Sequence, residues 1–357
     1  MDTDRRIRVL IVDDSALIRK VIGGLLATSP RIDVVGTAPD GETAIALAES
    51  LQPDVITLDV EMPGISGLDA IPRILAKRPV PIVMVSTHTR EGAEATLTAL
   101  ERGAVDFLPK PDRNQLGQMR AGGDLLVNKV LAAAQCKVAR PTSIPAESPT
   151  FTPTSTPGPA GPRSVEVRSG ASCVVIGIST GGPQTLTRVL QAVKTPLPPI
   201  LVVQHMPAQF TSSLANRLNR LGTVAVKEAE DGDRILPDRV LIAPGDRHLT
   251  VIGRSSQARV ALRDEPPVSG HKPSVDVLFE AAARVFGAGC VGLIMTGMGR
   301  DGVEGCRQIL AAGGTTYGQD EASSIVYGMN KAAWEDGALR GQFPLEDLPR
   351  ILMKLGS

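Results

Sequence analysis

The sequence predicts an α/β fold in which two doubly wound, mostly parallel sheets are joined by a proline-rich linker. Short apolar runs alternate with helical patterns on both sides of the linker, and this alternation favours right-handed crossovers and parallel sheets. The chain of 357 residues is longer than one ordinary domain. We therefore expect a first domain over residues 1–135, a linker over 136–169 and a second domain over 170–357.

The first domain is predicted to contain five strands with helices between them. Each strand is a short apolar run, which is typical of strands in a parallel sheet that is covered on both faces. They are IRVLIV (7–12), DVVGTA (33–38), DVITL (54–58), PIVMVS (81–86) and VDFLP (105–109).

The linker differs abruptly in composition from the domains beside it. Phe151 is its one aromatic residue between Cys136 and Gly170, and Ser and Thr are frequent. Such a segment buries too little apolar surface to offset its ordering entropy, so we expect it to be semi-extended. Its prolines stand at positions 141, 145, 149, 153, 157, 159 and 162.

The second domain repeats the alternation, with helices expected near residues 211–221, 273–286 and 302–312. Residues 239–263 are predicted to form a local hairpin outside the main sheet. The predicted strands are SCVVIG (172–177), PILVVQ (199–204), VLIAP (240–244) and CVGLIMT (290–296).

Composition argues against several classes of function. Basic and acidic residues both total 38, and residues 170–357 carry 19 basic and 18 acidic residues, a net charge of +1. We therefore expect no nucleic-acid partner and no helix-turn-helix output domain. No run approaches the ~20 apolar residues of a membrane span, and no signal peptide is evident, so no direct membrane insertion is expected. The four cysteines form no CxxC pair, which favours reduced thiols and a cytoplasmic location.

Acidic residues stand at two strand ends of the first domain. Asp13 and Asp14 end the first strand and Asp59 ends the third. The carboxyl ends of neighbouring parallel strands face one crevice, where three carboxylates repel one another unless a cation lies among them. Hard oxygen ligands suit Mg²⁺, which shares its coordination shell with phosphate. For each carboxylate taken singly, capping of the following helix is the alternative.

Ser86 and Lys110, at the fourth and fifth strands, complete this group. A carboxylate nucleophile, a metal ion, a hydroxyl and an ammonium can together accept and hold a phosphoryl group. The motifs VDDS, LDVEMPGISG, VMVST and DFLPKP carry these residues. Over about residues 5–128 the chain resembles the receiver domain of two-component response regulators, a flavodoxin-like, CheY-like (βα)5 fold.

This resemblance implies Asp59 as the phosphoacceptor. It also implies that Mg²⁺ is held by Asp13, Asp14, Asp59 and the carbonyl of Glu61.

The resemblance further implies Ser86 as the switch hydroxyl, Phe107 as the switch aromatic and Lys110 as the counter-ion of the phosphoryl group. It also implies a cis bond between Lys110 and Pro111. About two negative charges added at Asp59 would pull Ser86 inward and free space for Phe107 to turn in.

The segment GISTGG at 177–182 places Ser179 between glycines directly after an apolar strand. Pro183 suits the first turn of a helix, so Ser179 is expected on a tight strand-to-helix turn. The letters match the GxSxG nucleophile elbow, but the amides of such a turn could serve an oxyanion or a phosphate equally. The segment by itself leaves a nucleophile and a glycine-rich phosphate turn both open.

Two later strand ends favour chemistry at Ser179. His205 ends the next strand, and Asp301 starts the helix after the glycine-rich turn of MTGMGRDG. The imidazole could act as a general base, and the carboxylate could fix its tautomer. Taken singly, His205 could be a structural histidine and Asp301 a helix N-cap. The order Ser, His, Asp differs from that of α/β-hydrolases.

The second domain is similar to the catalytic domain of the chemotaxis protein-glutamate methylesterase (CheB) family. The similarity rests on IGISTGGP, VVQHMP, LIAPGDRHLTV, HKPSVDVLF and MTGMGRDG, and with the receiver and the tether it covers nearly the whole chain. It implies a phosphorylation-activated hydrolase that removes methyl groups from glutamate γ-methyl esters of methyl-accepting chemotaxis receptors, releasing methanol. It also implies deamidation of receptor glutamines, no cofactor for the ester reaction, and the chemotaxis histidine kinase CheA as phosphoryl donor.

Carried over to this sequence, the similarity implies Ser179 as the nucleophile, His205 as the base and then the acid, and Asp301 as the group that orients His205. It implies that the unphosphorylated receiver covers the catalytic mouth.

Four further residues receive weaker roles. The amide of Met298 is the implied oxyanion donor, and Thr180 is implied to help orient the histidine. The similarity places His271 near the cleft without a chemical step. For His248 a structural role fits at least as well as a functional one.

Two other functions stay open at this point. The second domain could be a nucleotide-binding module with GISTGG and GMGRDG as phosphate loops, although the chain has no GxxxxGK[ST] and no GxGxxG. It could also be a non-enzymatic interaction module, which would release no methanol from receptor membranes.

Overall fold

The computed structural model describes residues 5–86, 89–110, 119–136, 138, 169–222 and 224–357. Most of the predicted linker therefore lies outside the described residues, as do His88 and the Pro111 side of the predicted cis bond. Within the described ranges, no helix combines the length and the apolar character needed to cross a membrane.

The first sheet has the predicted (βα)5 arrangement. Its elements are β1 Ile7–Val12, α1 Ala16–Leu26, β2 Ile32–Ala38, α2 Gly41–Leu51, β3 Val55–Asp59, α3 Gly67–Lys77, β4 Ile82–Ser86, α4 Arg90–Glu101, β5 Asp106–Pro109 and α5 Met119–Ala133. All pairings are parallel, in the order β2-β1-β3-β4-β5. The chain reverses its winding direction between β1 and β3, so the crevice lies where Asp13 and Asp59 follow these two strands.

The second sheet is larger and also parallel. Its elements are β6 Cys173–Ile178, α6 Gly182–Ala192, β7 Ile200–Gln204, α7 Ala208–Leu221, β8 Ala225–Glu228, β9 Arg239–Ile242, β10 His248–Ile252, β11 Arg259–Arg263, α8 Val275–Phe286, β12 Cys290–Ile294, α9 Val303–Ala311, β13 Thr315–Gln319, α10 Met329–Glu335, β14 Gly341–Phe343 and α11 Leu348–Gly356. The order is β14-β13-β12-β6-β7-β9-β8, and β10 pairs with β11 in a separate antiparallel hairpin.

Both faces of the second sheet are buried, which explains its continuous apolar runs. Along β6, Val174 and Ile176 pack into one apolar cluster, whereas Cys173 and Val175 pack into another on the opposite face. Successive side chains of a strand point to opposite faces, so a strand covered by helices on both sides must be apolar throughout. The prediction of a doubly wound second sheet is confirmed.

Two predictions in the second domain need correction. Residues 239–263 do not form one hairpin, because Arg239–Ile242 joins the main sheet and only the later part pairs as β10 and β11. Three strands were missed, namely β8, β13 and β14. The missed β13 reads TTYGQ, in which neither an apolar run nor an alternation marks a strand.

The register of the central strands positions the candidate site. In the order β12-β6-β7, Gly177 lies beside Ile294 on one side and beside Val203 on the other. The three strands therefore end at nearly the same level. The residues that follow them, among them Ser179 and His205, meet at one edge of the sheet.

Candidate active site

Ser179 lies on a rigid turn between β6 and α6. Its amide donates to the carbonyl of Thr296 at 2.9 Å, and its carbonyl accepts from the amide of Gly182 at 2.8 Å. Gly181 has a φ of +78°, a left-handed conformation that favours glycine. On the other side, a Cβ added to Gly297 would lie 2.7 Å from the Cβ of Ser179, so only glycine leaves room for the serine here.

His205 follows β7 and is bonded to a carboxylate through one ring nitrogen. Its Nε2 lies 2.8 Å from Oδ2 of Asp301, and only 7% of its side chain is exposed. Its Nδ1 is buried and has no hydrogen-bond partner among the described residues. Ser179 and His205 line the same cavity, which has a volume of about 410 Å³. Nδ1 therefore makes no hydrogen bond to the hydroxyl of Ser179, although both residues line this cavity.

Asp301 is held by the first turn of α8. Its Oδ2 accepts from the amide of Val275 at 2.7 Å, and its Oδ1 accepts from the Ser274 hydroxyl at 2.8 Å and the Asp276 amide at 3.1 Å. Burial by itself raises the pKa of Asp301, but the hydrogen bond and charge of His205, together with these donors, outweigh it and hold the pKa at about 2. The carboxylate is therefore ionised at neutral pH and can stabilise an imidazolium at His205.

Asp276 in turn accepts hydrogen bonds from the turn that carries Asp301. Its Oδ1 accepts from the amides of Gly302 at 2.9 Å and Gly305 at 2.8 Å, at the start of α9. Burial raises the pKa of Asp276 to about 6. Asp276 of α8 thus binds the amino end of α9, and Asp301, just before α9, binds the amino end of α8.

The two weaker assignments beside the serine have different outcomes. Met298 lines the cavity, and its amide has no hydrogen-bond acceptor within the described part of the chain, so it is free to serve an oxyanion. The Thr180 hydroxyl, expected to orient the histidine, instead donates to Oδ2 of Asp106 at 2.6 Å. The Thr180 hydroxyl bonds there because the buried carboxylate of Asp106, 74 residues away in the sequence, lies next to it in the fold.

The other two described histidines have distinct positions. His248 is fully buried, its Nδ1 accepts from the amide of Ser274 at 3.2 Å and its Nε2 lies 3.0 Å from the carbonyl of Pro266, which is a structural arrangement. His271 stacks on His205 with ring centroids 3.8 Å apart. Sequence reasoning gave His271 no role. The sequence signal that could have indicated a role is the position of His271 in HKPSVD, three residues before Ser274, which contacts Asp301.

The acidic residues of the first sheet also meet. Nζ of Lys110 lies 2.6 Å from Oδ2 of Asp59 and 3.0 Å from Oδ2 of Asp13, and carboxylate oxygens of Asp13, Asp14 and Asp59 lie within 4.8 Å of one another. Burial raises the pKa of Asp59 to about 6, although Lys110 pulls it in the opposite direction. Clustered carboxylate oxygens next to an ammonium fit a hard divalent cation and a phosphoryl group. The amide of Glu61 donates to Oδ1 of Asp59 at 3.3 Å, which places its backbone at this site.

The CheB methylesterase profile matches residues 174–352, and the response regulator receiver profile matches residues 9–120. The chain belongs to the CheB methylesterase family.

Its relatives in the family include proteins named protein-glutamate methylesterase/protein-glutamine glutaminase. The one from Chromohalobacter salexigens is 41% identical over 352 residues, covering 99% of this chain and 97% of that protein. The one from Halalkalibacterium halodurans is 46% identical over 333 residues, covering 93% of each. The crystal structure of the Thermotoga maritima CheB methylesterase catalytic domain is 38% identical, with a TM-score of 0.50, and covers 52% of this chain and 98% of that one.

In this CheB-family chain the receiver lies directly against the catalytic domain. Phe107 of β5 is buried and stacks on Phe210 of α7, with ring centroids 4.4 Å apart. Gln184 of α6 donates to the carbonyl of Ala104 at 2.6 Å, and Nε of Arg217 donates to Glu101 at 2.8 Å. With the bond between Thr180 and Asp106, these contacts join β5 and α4 of the receiver to α6 and α7.

The receiver also supplies part of the wall of the catalytic cavity. Leu125, Asn128 and Lys129 of α5 line it together with Ser179 and His205. Within the receiver, the hydroxyl of Ser86 donates to the carbonyl of Gly92 of α4 at 3.1 Å. Side chains of the receiver are thus part of the candidate site.

Proposed function

We propose that the chain hydrolyses glutamate γ-methyl esters on methyl-accepting chemotaxis receptors, releasing methanol, and deamidates receptor glutamines. The observation that carries this proposal is the hydrogen bond between His205 and Asp301 beside Ser179 in one cavity. The relatives' names, protein-glutamate methylesterase/protein-glutamine glutaminase, supply the substrate class. We place the activity in the cytoplasm, in keeping with four free cysteines.

In the first step Ser179 Oγ attacks the ester carbonyl while Nδ1 of His205 takes its proton. Asp301 stays ionised and stabilises the imidazolium through Nε2. The oxyanion accepts a hydrogen bond from the amide of Met298, and the amide of Thr180, which has no acceptor among the described residues, can add a second. The imidazolium then gives its proton to the methoxy oxygen, and methanol leaves with the C–O bond broken.

In the second step a water molecule attacks the acyl-serine, and His205 again accepts and returns the proton. Glutamate and free Ser179 are the products. With a receptor glutamine the same sequence releases ammonia instead of methanol. In this proposal the ester reaction uses no cofactor.

The receiver half of the proposal concerns phosphoryl transfer from the chemotaxis histidine kinase CheA to Asp59. Asp13, Asp14, Asp59 and the Glu61 carbonyl would hold Mg²⁺, which offsets the negative charge of the phosphoryl group. Lys110 already bridges Asp59 and Asp13 and would become the counter-ion of the phosphoryl oxygens.

The interface supports a regulatory role for the receiver. A phosphoryl group at Asp59 would draw the Ser86 hydroxyl away from Gly92 and open space for Phe107. Because Phe107 stacks on Phe210, its movement would remove a contact that holds the two domains together. Phosphorylation thus shifts a two-state domain arrangement towards an open cleft.

The proposed function is tested by methanol release from methylated receptor membranes, with and without acetyl phosphate and Mg²⁺. We expect activation of about 5- to 150-fold, the usual range of coupling between two sites. Asp59→Asn, which removes the phosphoacceptor, and removal of Mg²⁺ with EDTA should each abolish the activation but leave the basal rate.

Two results would contradict the proposal. No methanol under either condition would favour a nucleotide-binding or interaction module. Methanol release that acetyl phosphate does not change would leave the esterase but reject regulation through Asp59.

The interface itself is tested by Arg217→Glu. Arg217 is mostly buried against Glu101 and Glu94 of α4, so reversing its charge should repel the receiver. We expect the basal rate of methanol release to rise about 5-fold without acetyl phosphate. Arg188→Glu is the matched control, because Arg188 pairs at 3.5 Å with Glu346 inside the catalytic domain. An equal rise in both variants, or none in Arg217→Glu, would count against an inhibitory interface.

A further inference from the structure

The imidazole of His271 lies flat against that of His205. The ring centroids are 3.8 Å apart and the planes differ by 2°. Both rings line the cavity that contains Ser179. A contact this close and parallel covers one face of the base, and it comes from a residue that the proposed mechanism does not use.

The hydrogen bond to Asp301 restrains one motion of His205 only in part, namely rotation of the ring about the Cβ–Cγ bond. Nε2 lies closer than Nδ1 to the axis of the Cβ–Cγ bond, so rotation about that bond moves Nε2 less than it moves Nδ1. The hydrogen bond at Nε2 therefore fixes the position of Nε2 better than it fixes the rotation of the ring plane. Nδ1 has no partner among the described residues that would fix it from the other side. A flat surface against the ring face supplies the missing restraint.

His271 is itself firmly held. Its amide and carbonyl exchange hydrogen bonds with Val268 at 2.9 and 3.0 Å, which closes a four-residue turn. The two central residues, Ser269 and Gly270, have φ values of +53° and +79°, as a type I′ turn requires. On the far side, Ser274 is bonded to both Asp301 and His248. The segment from His271 to Ser274 thus connects the ring that stacks on His205 to the carboxylate of Asp301.

The charge state of His271 suits this position. Burial and, to a smaller extent, the neighbouring His205 lower the pKa of His271 to about 4. Lys129 acts in the same direction, and Asp301 opposes it. The ring is therefore neutral at neutral pH and does not repel an imidazolium that forms on His205.

We propose that His271 is a positioning residue whose ring holds the plane of His205 so that Nδ1 faces the hydroxyl of Ser179. This inference rests on the proposed function. Catalytic groups must be held within about 0.5 Å and 10–20° of the productive geometry, and a misplacement of about 1 Å can cost about 100-fold in rate.

The test uses the full chain activated with acetyl phosphate and Mg²⁺, with three substitutions at position 271. His271→Phe keeps a flat ring, His271→Leu keeps bulk without a flat face, and His271→Ala removes both. Two rates are measured, namely methanol release from receptor membranes and covalent labelling of Ser179 by a fluorophosphonate. Asp264→Asn is the matched control, because it frees Lys272 in the same loop from its 2.8 Å ion pair and leaves position 271 intact.

We expect kcat and the labelling rate to fall about 10- to 100-fold in His271→Ala, with KM changed less than about 2-fold. His271→Phe should stay within about 3-fold of the original chain, and His271→Leu should be at least about 5-fold slower than His271→Phe. Between pH 5.5 and 9 the labelling profile of His271→Phe should match the original, because His271 is uncharged there.

Several results would overturn the inference. Full activity in His271→Ala would remove the need for the ring, and equal rates in His271→Phe and His271→Leu would remove the need for a flat face. A shifted pH profile in His271→Phe would assign His271 an electrostatic role instead. Labelling that depends on His271 as expected, in a chain that releases no methanol, would retain the positioning role and reject the proposed substrate.

Discussion

Replacing Ser179 with alanine should lower the rate of methanol release by a factor on the order of 10⁶. The change removes the only oxygen that can form the acyl intermediate in the proposed mechanism, whereas the turn that carries it is held by backbone hydrogen bonds that alanine keeps. The measurement is methanol released from methylated receptor membranes by the activated chain. Fluorophosphonate labelling should disappear in the same variant.

Ser212→Ala is the matched control for this substitution. Ser212 lies on α7, and its hydroxyl donates to the carbonyl of Gln209 at 3.3 Å. It should release methanol at the unchanged rate. Methanol release from Ser179→Ala at the original rate would end the assignment of the nucleophile.

The second large effect is expected at Asp301. Asp301→Asn should lower the rate about 10⁴-fold, because an amide in place of the carboxylate no longer stabilises the imidazolium and can impose the wrong tautomer on His205. The same substitution weakens the acceptors for three groups of α8, so the free energy of unfolding should fall by about 1–3 kcal/mol. Methanol release and denaturant unfolding measure the two effects separately.

Asp276→Asn distinguishes chemistry from stability at this position. Asp276 holds the start of α9 much as Asp301 holds the start of α8, but its carboxylate binds the amides of Gly302 and Gly305. Its loss should destabilise the chain by a similar amount and lower the rate less than about 10-fold. If the two variants lost equal activity, Asp301 would have a structural role only.

Strand periodicity predicted the strand ends at which the candidate site lies. The run Cys173–Ile178 is apolar at every position because it is buried on both faces, and this pattern locates the turn with Ser179. His205 and Asp301 were found by the same rule, since parallel strands end at one edge of the sheet. Prediction worked where burial imposes a local pattern on the sequence.

Contacts between distant segments left no such pattern. Nothing in the letters around Thr180 indicates that its hydroxyl donates to Asp106 of the other domain. The stack of His271 on His205 depends on a turn whose shape is set by Ser269 and Gly270 and by the packing of α8. The strand TTYGQ is largely buried through its neighbours in the sheet rather than through apolar side chains of its own.

The stack of Phe107 on Phe210 has a consequence for the direction of signalling. Thermodynamic linkage is reciprocal. If phosphorylation of Asp59 separates the two rings and so favours binding in the cleft, binding in the cleft must favour phosphorylation by the same factor. A receptor segment seated in the cleft would therefore stabilise the phosphorylated form of Asp59 by the same factor. At equilibrium a larger fraction of the enzyme would then be phosphorylated where its substrate is, without any additional sensing element.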